Sequence, residues 1–257
     1  MYSKLAEKLH FTLEPVAINF TDERPEEALQ FEEGKRGCVA SMLVTAANGK
    51  TAVFDDKTYG CPGGGVGICF GDTFTKNSHP TESLLSTGDE ALALLGKTHT
   101  KSLGRGERFF ATPELAGKWK SGFPYTEAPE KYVVFKPLSQ TEESNPPDLI
   151  CIFANPDQLS ALVIMAGFNR GEMLNTVAPF SAACQSIAIA YQEINKELPK
   201  AIIGFFDISQ RHRIPKEILS LTMPYCLYRD MEESLDESCL TTEAWEKIAD
   251  RFQTDHQ

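Results

Sequence analysis

The chain has 257 residues, 42% hydrophobic and 24% charged, a composition that suits one large globular domain or two small ones with a sizeable core. Thirty-six Asp and Glu against 25 Lys and Arg leave a net charge of -11, which argues against nucleic acid and anionic membranes as main partners. No stretch approaches the roughly 20 apolar residues of a bilayer span, and Lys4, Glu7 and Lys8 interrupt the first ten residues, so neither a membrane segment nor a signal peptide is expected.

In chain order, Leu5 and Leu9 share a face of a short helix over residues 2–10. Residues 15–20 read as a strand, 21–25 as a loop, and 26–31 as one or two helical turns. Cys38 opens an apolar stretch, residues 39–47, expected to be a helix stopped by Asn48-Gly49, and a short strand follows at 51–54. Residues 59–71 then hold six glycines, one proline and two cysteines, Cys61 and Cys69. Glycine loses the most backbone entropy on ordering and proline lacks a donor, so this stretch is expected to be a loop. Ordering it makes sense where the backbone must approach a metal cluster, an anion or another segment.

Residues 81–95 read as a helix carrying Leu84, Leu85, Leu92 and Leu95. The stretch 104–131 mixes Gly, Pro and aromatics and is expected to be irregular, with a short helix at 113–120, covering a site. A strand follows at 132–138. Residues 148–154 are almost continuously apolar, as in a central strand buried on both faces. Asn155-Pro156 caps a helix through 167, and another helix is expected over 182–197. Residues 201–206 read as a second buried strand ending at Asp207. The tail reads as helical at 215–221 and 242–252, with a strand-like piece at 223–229.

These elements predict an α/β fold, or an α+β variant of it, with a mixed sheet and flanking helices in one domain spanning 1–257. Two halves, 1–103 and 132–257, echo one another across the 104–131 segment. Each runs from a strand to a cysteine at or near a helix start, then to a strand ending in aspartate (Cys38 and Asp55; Cys184 and Asp207). A helix N-terminus favours thiolate, the form that binds metal.

Seven cysteines without an export signal point to the cytoplasm and reduced thiols, either packed as small hydrophobes or with two to four of them binding metal. No Cys-x-x-Cys pair or ferredoxin-type run occurs, so any metal site must be assembled from distant segments. The glycine run is not followed by Gly-Lys-Ser/Thr, and it fits a Rossmann fingerprint poorly. His79 and His99 fall in loops, and no His-x-x-x-His pair exists. Arg211, His212 and Arg213, just after a strand end, read either as an anion-holding group or as a solvated turn. Ser41, Ser181 and Ser186 lack the Gly-x-Ser-x-Gly setting of a serine hydrolase. Cys61 as a nucleophile would need a base that the sequence does not place.

Several motifs occur in order: Pro15-Val16-Ala17-Ile18, Gly37-Cys38, Cys61-Pro62-Gly63-Gly64, Ala183-Cys184 and residues 203–211 (Ile-Gly-Phe-Phe-Asp-Ile-Ser-Gln-Arg). Met223-Pro224-Tyr225, Met231-Glu232, Ser238-Cys239-Leu240 and Trp245 follow. Together they resemble the domain-of-unknown-function 169 family, found mainly in bacteria and archaea and without a settled function. The resemblance implies recurrent cysteines at Cys38, Cys61 and Cys184. Such a set suits a [4Fe-4S] cluster with one iron left for a non-cysteine ligand or a substrate. Cys69 departs from the family pattern and reads as a fourth ligand or a buried thiol. Cys151, Cys226 and Cys239 read as packing residues.

The expectation is an iron–sulfur protein with a redox or Lewis-acid role, acting on a small molecule or a redox partner protein. Gly63, Gly64 and Gly65 would offer backbone N–H groups to the cluster. Two alternatives stand beside it. One is a metal-free small-molecule site built from the glycine run, the aromatics of residues 109–125 and Arg211. The other is a cysteine enzyme with Cys61 as nucleophile.

Overall fold

In the computed structural model, which describes residues 1–95 and 100–254, successive side chains of the central strands alternate between two cores. His99 lies outside the described residues. The sheet runs β2 (Ala52–Phe54), β3 (Tyr132–Pro137), β1 (Val16–Thr21), β4 (Leu149–Ala154), β7 (Leu219–Pro224), β6 (Ala201–Gly204), β5 (Thr176–Val177). Neighbours are antiparallel except β5 and β6, which are parallel. The fold is therefore α/β with a mixed sheet. All six residues of β4 are buried, as the unbroken apolar run predicts for a strand covered on both faces. Setting β1, β2 and β3 against β4, β6 and β7 makes the order read the same from either end, with β5 added beyond β6.

On one face, Val16, Ile18, Leu149, Phe153, Phe135 and Phe54 pack under α2 (Val39–Ala47), α3 (Pro62–Gly67) and α10 (Ser186–Tyr191). On the other, Ala17, Ile150, Ile152, Leu221 and Met223 pack under α1 (Lys4–Lys8), α9 (Pro156–Gly167), α11 (Tyr225–Glu233) and α12 (Glu243–Thr254). Asn155 and Gln158 form a reciprocal capping box at the start of α9: each side chain accepts from the other's backbone N–H, at 2.9 and 2.8 Å. Beyond α3, five further short helices among the described residues occupy the stretch between β2 and β3. They are α4 (Thr73–Lys76), α5 (Thr81–Leu85), α6 (Glu90–Leu94), α7 (Thr100–Arg105) and α8 (Pro113–Ser121). None of the helices among the described residues is long and apolar enough to cross a membrane.

Several local expectations are overturned. The glycine run is not a loop: Pro62 to Gly67 form α3, with proline in the first turn. Its glycines serve close packing. A Cβ on Gly64 would meet Val39 Cγ2 at 2.7 Å, and one on Gly67 would meet the Cys184 backbone at 2.9 Å. The helix expected over 81–95 is two helices, broken at Gly88, whose φ is +81° and whose Cβ would strike Gly106 N at 2.4 Å. The helix expected over 182–197 shortens to α10. Residues 26–31 form turns and a bridge from Leu29 to Ala52 rather than a helix. The tail reverses order. Strand β7 fills the gap between β4 and β6 where a helix was expected. The strand-like 223–229 instead begins α11, which buries Leu227, Tyr228 and Met231 on one side.

Candidate functional site

Three distant cysteines meet on the α2–α3–α10 face of the sheet. Cys38 is the N-cap of α2, Cys61 is the N-cap of α3, and Cys184 stands two residues before α10. All three line one cavity of about 170 Å³. Cys184 is buried, and Cys38 and Cys61 are half-buried. The Gly64 N–H donates to Cys61 Sγ at 3.2 Å, Cys184 Sγ donates to the Gly63 carbonyl at 3.7 Å, and Cys38 Sγ donates to Gln210 Oε1 at 3.1 Å.

The thiols sense one another. Burial pushes the Cys61 thiol up, the Gly64 N–H pulls it back, and Cys38 pushes it up again; the Gly63 N–H and the Arg36 guanidinium lower it. Burial pushes Cys184 up further, helped by Cys61, Cys38 and Asp207. Burial thus favours the protonated forms of Cys61 and Cys184 over their thiolates.

The rest of the lining combines an apolar body with charged and polar residues. Phe74, Leu84, Leu85, Phe109, Trp119 and Phe180 form the body. The Trp119 indole N–H donates to the Phe180 carbonyl at 2.9 Å, and Phe110 packs edge-on to Phe180 with ring centroids 5.6 Å apart. Glu107 and Asp207 both line the cavity, close enough for the Asp207 charge to act on Glu107. The Asp207 carboxylate is buried and accepts from Ala183 N–H at 2.7 Å, Gln210 N–H at 2.8 Å and Ser209 Oγ at 3.0 Å. Asp207 is delivered there by Phe205, which leaves β6 with a φ of 67°, in the left-handed region that larger residues rarely adopt. Glu107 is pushed up to about 7, first by burial and then by the Asp207 charge. Arg36 and His79 also line the cavity.

The six residues proposed from sequence separate. Cys38, Cys61, Cys184, Gly63 and Gly64 line the cavity, whereas Gly65 does not and is instead packed against Thr73 and Tyr59. Cys69 is fully buried outside the cavity lining, with burial alone raising its thiol to about 12. Cys151 faces the core and is likewise pushed up to about 12 by burial. Cys226 is exposed and Cys239 half-buried, and neither lines the cavity. The basic trio is not an anion site on this cavity: Arg211 braces its own loop, donating to the Ile218 carbonyl at 2.5 Å and the Lys216 carbonyl at 2.7 Å. Arg36, Glu107 and Phe180 were not singled out from sequence. Arg36 could have been found, being two residues before Cys38; Glu107 and Phe180 carry no local signal.

The donor set fits an iron–sulfur cluster in kind: three sulfurs converge, and backbone N–H groups of Gly63 and Gly64 act on the Cys61 sulfur. Among the described residues no three His, Cys, Asp or Glu side chains are grouped to hold a single metal ion. A cluster holds its cysteine sulfurs farther apart than one ion does, so the two spacings are different questions. No curated protein and no solved structure matches this chain. The model of one family, domain-of-unknown-function 169, described as uncharacterised ArCR, matches residues 4–234.

Proposed function

We propose that this chain, which belongs to the domain-of-unknown-function 169 family, holds a [4Fe-4S] cluster on Cys38, Cys61 and Cys184 beside a small-molecule cavity. The observation that carries this reading is the convergence of three thiols from three distant segments on one cavity wall. A bound cluster supplies one-electron transfer, or an iron open to a non-cysteine ligand. The chain's own residues do the rest. Gly63 and Gly64 direct N–H groups at the Cys61 sulfur, the aromatic wall excludes water, and Asp207 fixes the turn before Cys184 through Ala183. Either a small molecule or a redox partner protein would use such a site, and reduced thiols fit a cytoplasmic setting.

Anaerobic purification followed by iron and sulfide analysis tests the reading. A brown protein with both elements in stoichiometric amounts supports it, and a colourless, iron-free anaerobic preparation sinks it. Cys61→Ser should abolish the colour and Cys151→Ser should keep it, because only Cys61 lines the cavity.

The raised thiols favour one second reading, a metal-free small-molecule site with neutral cysteines. The same burial works against Cys61 as a nucleophile, which needs thiolate.

A further inference from the structure

A second cavity of about 400 Å³ shares Arg36, Cys61, Pro62 and His79 with the cysteine cavity. Its wall carries Lys35, Arg36 and Lys57 together with His79, Asn77 and Ser78, and among the described residues it contains no Asp or Glu. In a chain with 36 acidic residues and 25 Lys and Arg, a wall of three cations and no carboxylate is a marked segregation of charge. Glu33 and Asp56 are sequence neighbours of the basic residues, but both are exposed and neither lines the cavity. The nearby Asp55 carboxylate is occupied: it accepts from Thr58 Oγ1 at 2.9 Å, the Lys57 backbone N–H at 2.9 Å and Gln30 Nε2 at 3.1 Å. Neither the Lys35 nor the Lys57 ammonium makes an ion pair among the described residues.

We infer that the paired cavities bind a small organic anion, its acid group (carboxylate or phosphate) among Lys35, Arg36 and Lys57 and its apolar body among the side chains of the cysteine cavity. The placement of charge sets the orientation. Asp207 and Glu107 line the cysteine cavity but not the basic one and repel an anion, whereas Arg36 lines both. The apolar wall of Phe74, Leu84, Leu85 and Trp119 suits an aromatic or aliphatic body, and cavities of these sizes suit a small metabolite. Cys61 lines both cavities, so a molecule that occupies the two together lies beside Cys61. The inference deepens the small-molecule part of the proposed function, but it rests on charge placement and holds with or without a cluster.

Isothermal titration calorimetry of the full chain as purified tests it, with phenylacetate, phenyl phosphate and the neutral 2-phenylethanol as probes. At least one acid should bind about tenfold or more tightly than the alcohol, with the preference shrinking as salt is raised. Which acid is preferred separates a carboxylate ligand from a phosphate ester. The double substitution Lys35→Ala and Lys57→Ala, at two exposed side chains, should remove most of the preference. Equal binding of acids and alcohol, or an unchanged preference in the double variant, overturns the inference. Iron content measured on the same samples reports the cysteine site separately, so the failure of either proposal is visible alone.

Discussion

Glu107→Gln should make the protein more resistant to unfolding at alkaline pH and leave it unchanged at acid pH. Burial and the Asp207 charge hold the Glu107 carboxyl at about 7, against an ordinary value of 4.5. Because the folded carboxyl keeps its proton more tightly than the unfolded one, the stability it contributes is full below pH 4.5 and is lost as pH rises through about 7. At about 1.36 kcal/mol per pH unit the displacement corresponds to about 3 kcal/mol at most. Glu107 is half-buried in the cavity lining, and solvent screening reduces this to about 1–2 kcal/mol. Glutamine keeps the shape and removes the titration. Urea unfolding of both proteins from about pH 4 to about pH 8 should therefore give nearly equal stabilities at the acid end and an advantage for the variant at the alkaline end. Other groups titrate alike in the two proteins and cancel. A stability difference that stays constant across this range refutes the reasoning.

Three further substitutions probe how the cysteine segments are held. Gly67→Ala places a Cβ 2.9 Å from the Cys184 backbone and 3.1 Å from its sulfur, so it should cost about 1–3 kcal/mol in urea unfolding. Gly63→Ala meets nothing nearer than Phe74 at 3.8 Å and should be neutral or stabilising by up to about 1 kcal/mol. Equal effects at the two positions would contradict the packing role assigned to α3. Asp207→Ala leaves the buried Ala183 N–H without its acceptor and should cost about 1–3 kcal/mol. It should also move the Glu107 titration, followed by carboxyl NMR, back toward its ordinary range, and an unmoved titration would show that the two carboxyls do not interact.

The sequence was most readable where local and tertiary signals agree. Asn155-Pro156 announces α9, Asn48-Gly49 ends α2, and the apolar run of β4 has the burial its composition implies. Misreadings gather where tertiary structure overrides local preference. Six residues rich in glycine form a helix because α3 must lie against Val39 and the Cys184 backbone, a constraint supplied by residues 25 and more positions away. Tyr225, Leu227 and Tyr228 have strand propensity but lie in a helix because that helix has an apolar core to cover. The candidate cysteines carried local signals, Cys61 in the glycine run and Cys38 and Cys184 near expected helix starts, and the family pattern joined them into one set. Their partners Glu107 and Phe180 carried none, since each is brought in by a turn whose course depends on packing around it.

The sheet order explains why the site is lopsided. Cys38 precedes the helix between β1 and β2, and Cys184 precedes the helix leading to β6, positions that correspond when the order is read from its two ends. The connections after these helices differ. From β6 to β7 the chain needs only residues 205–218, whereas from β2 to β3 it runs through residues 55–131. That longer passage contributes Cys61, Phe74, Leu84, Leu85, Glu107, Phe109 and Trp119 to the cavity, and Lys57 to the basic wall beside it. Two cysteines thus belong to the sheet and its helices. The third, and almost all of the apolar wall, arrive with a single excursion of the chain. Whatever the cavity binds, its selectivity is set mainly by that excursion, and the corresponding half of the sheet supplies Cys184 and Asp207 as the fixed floor.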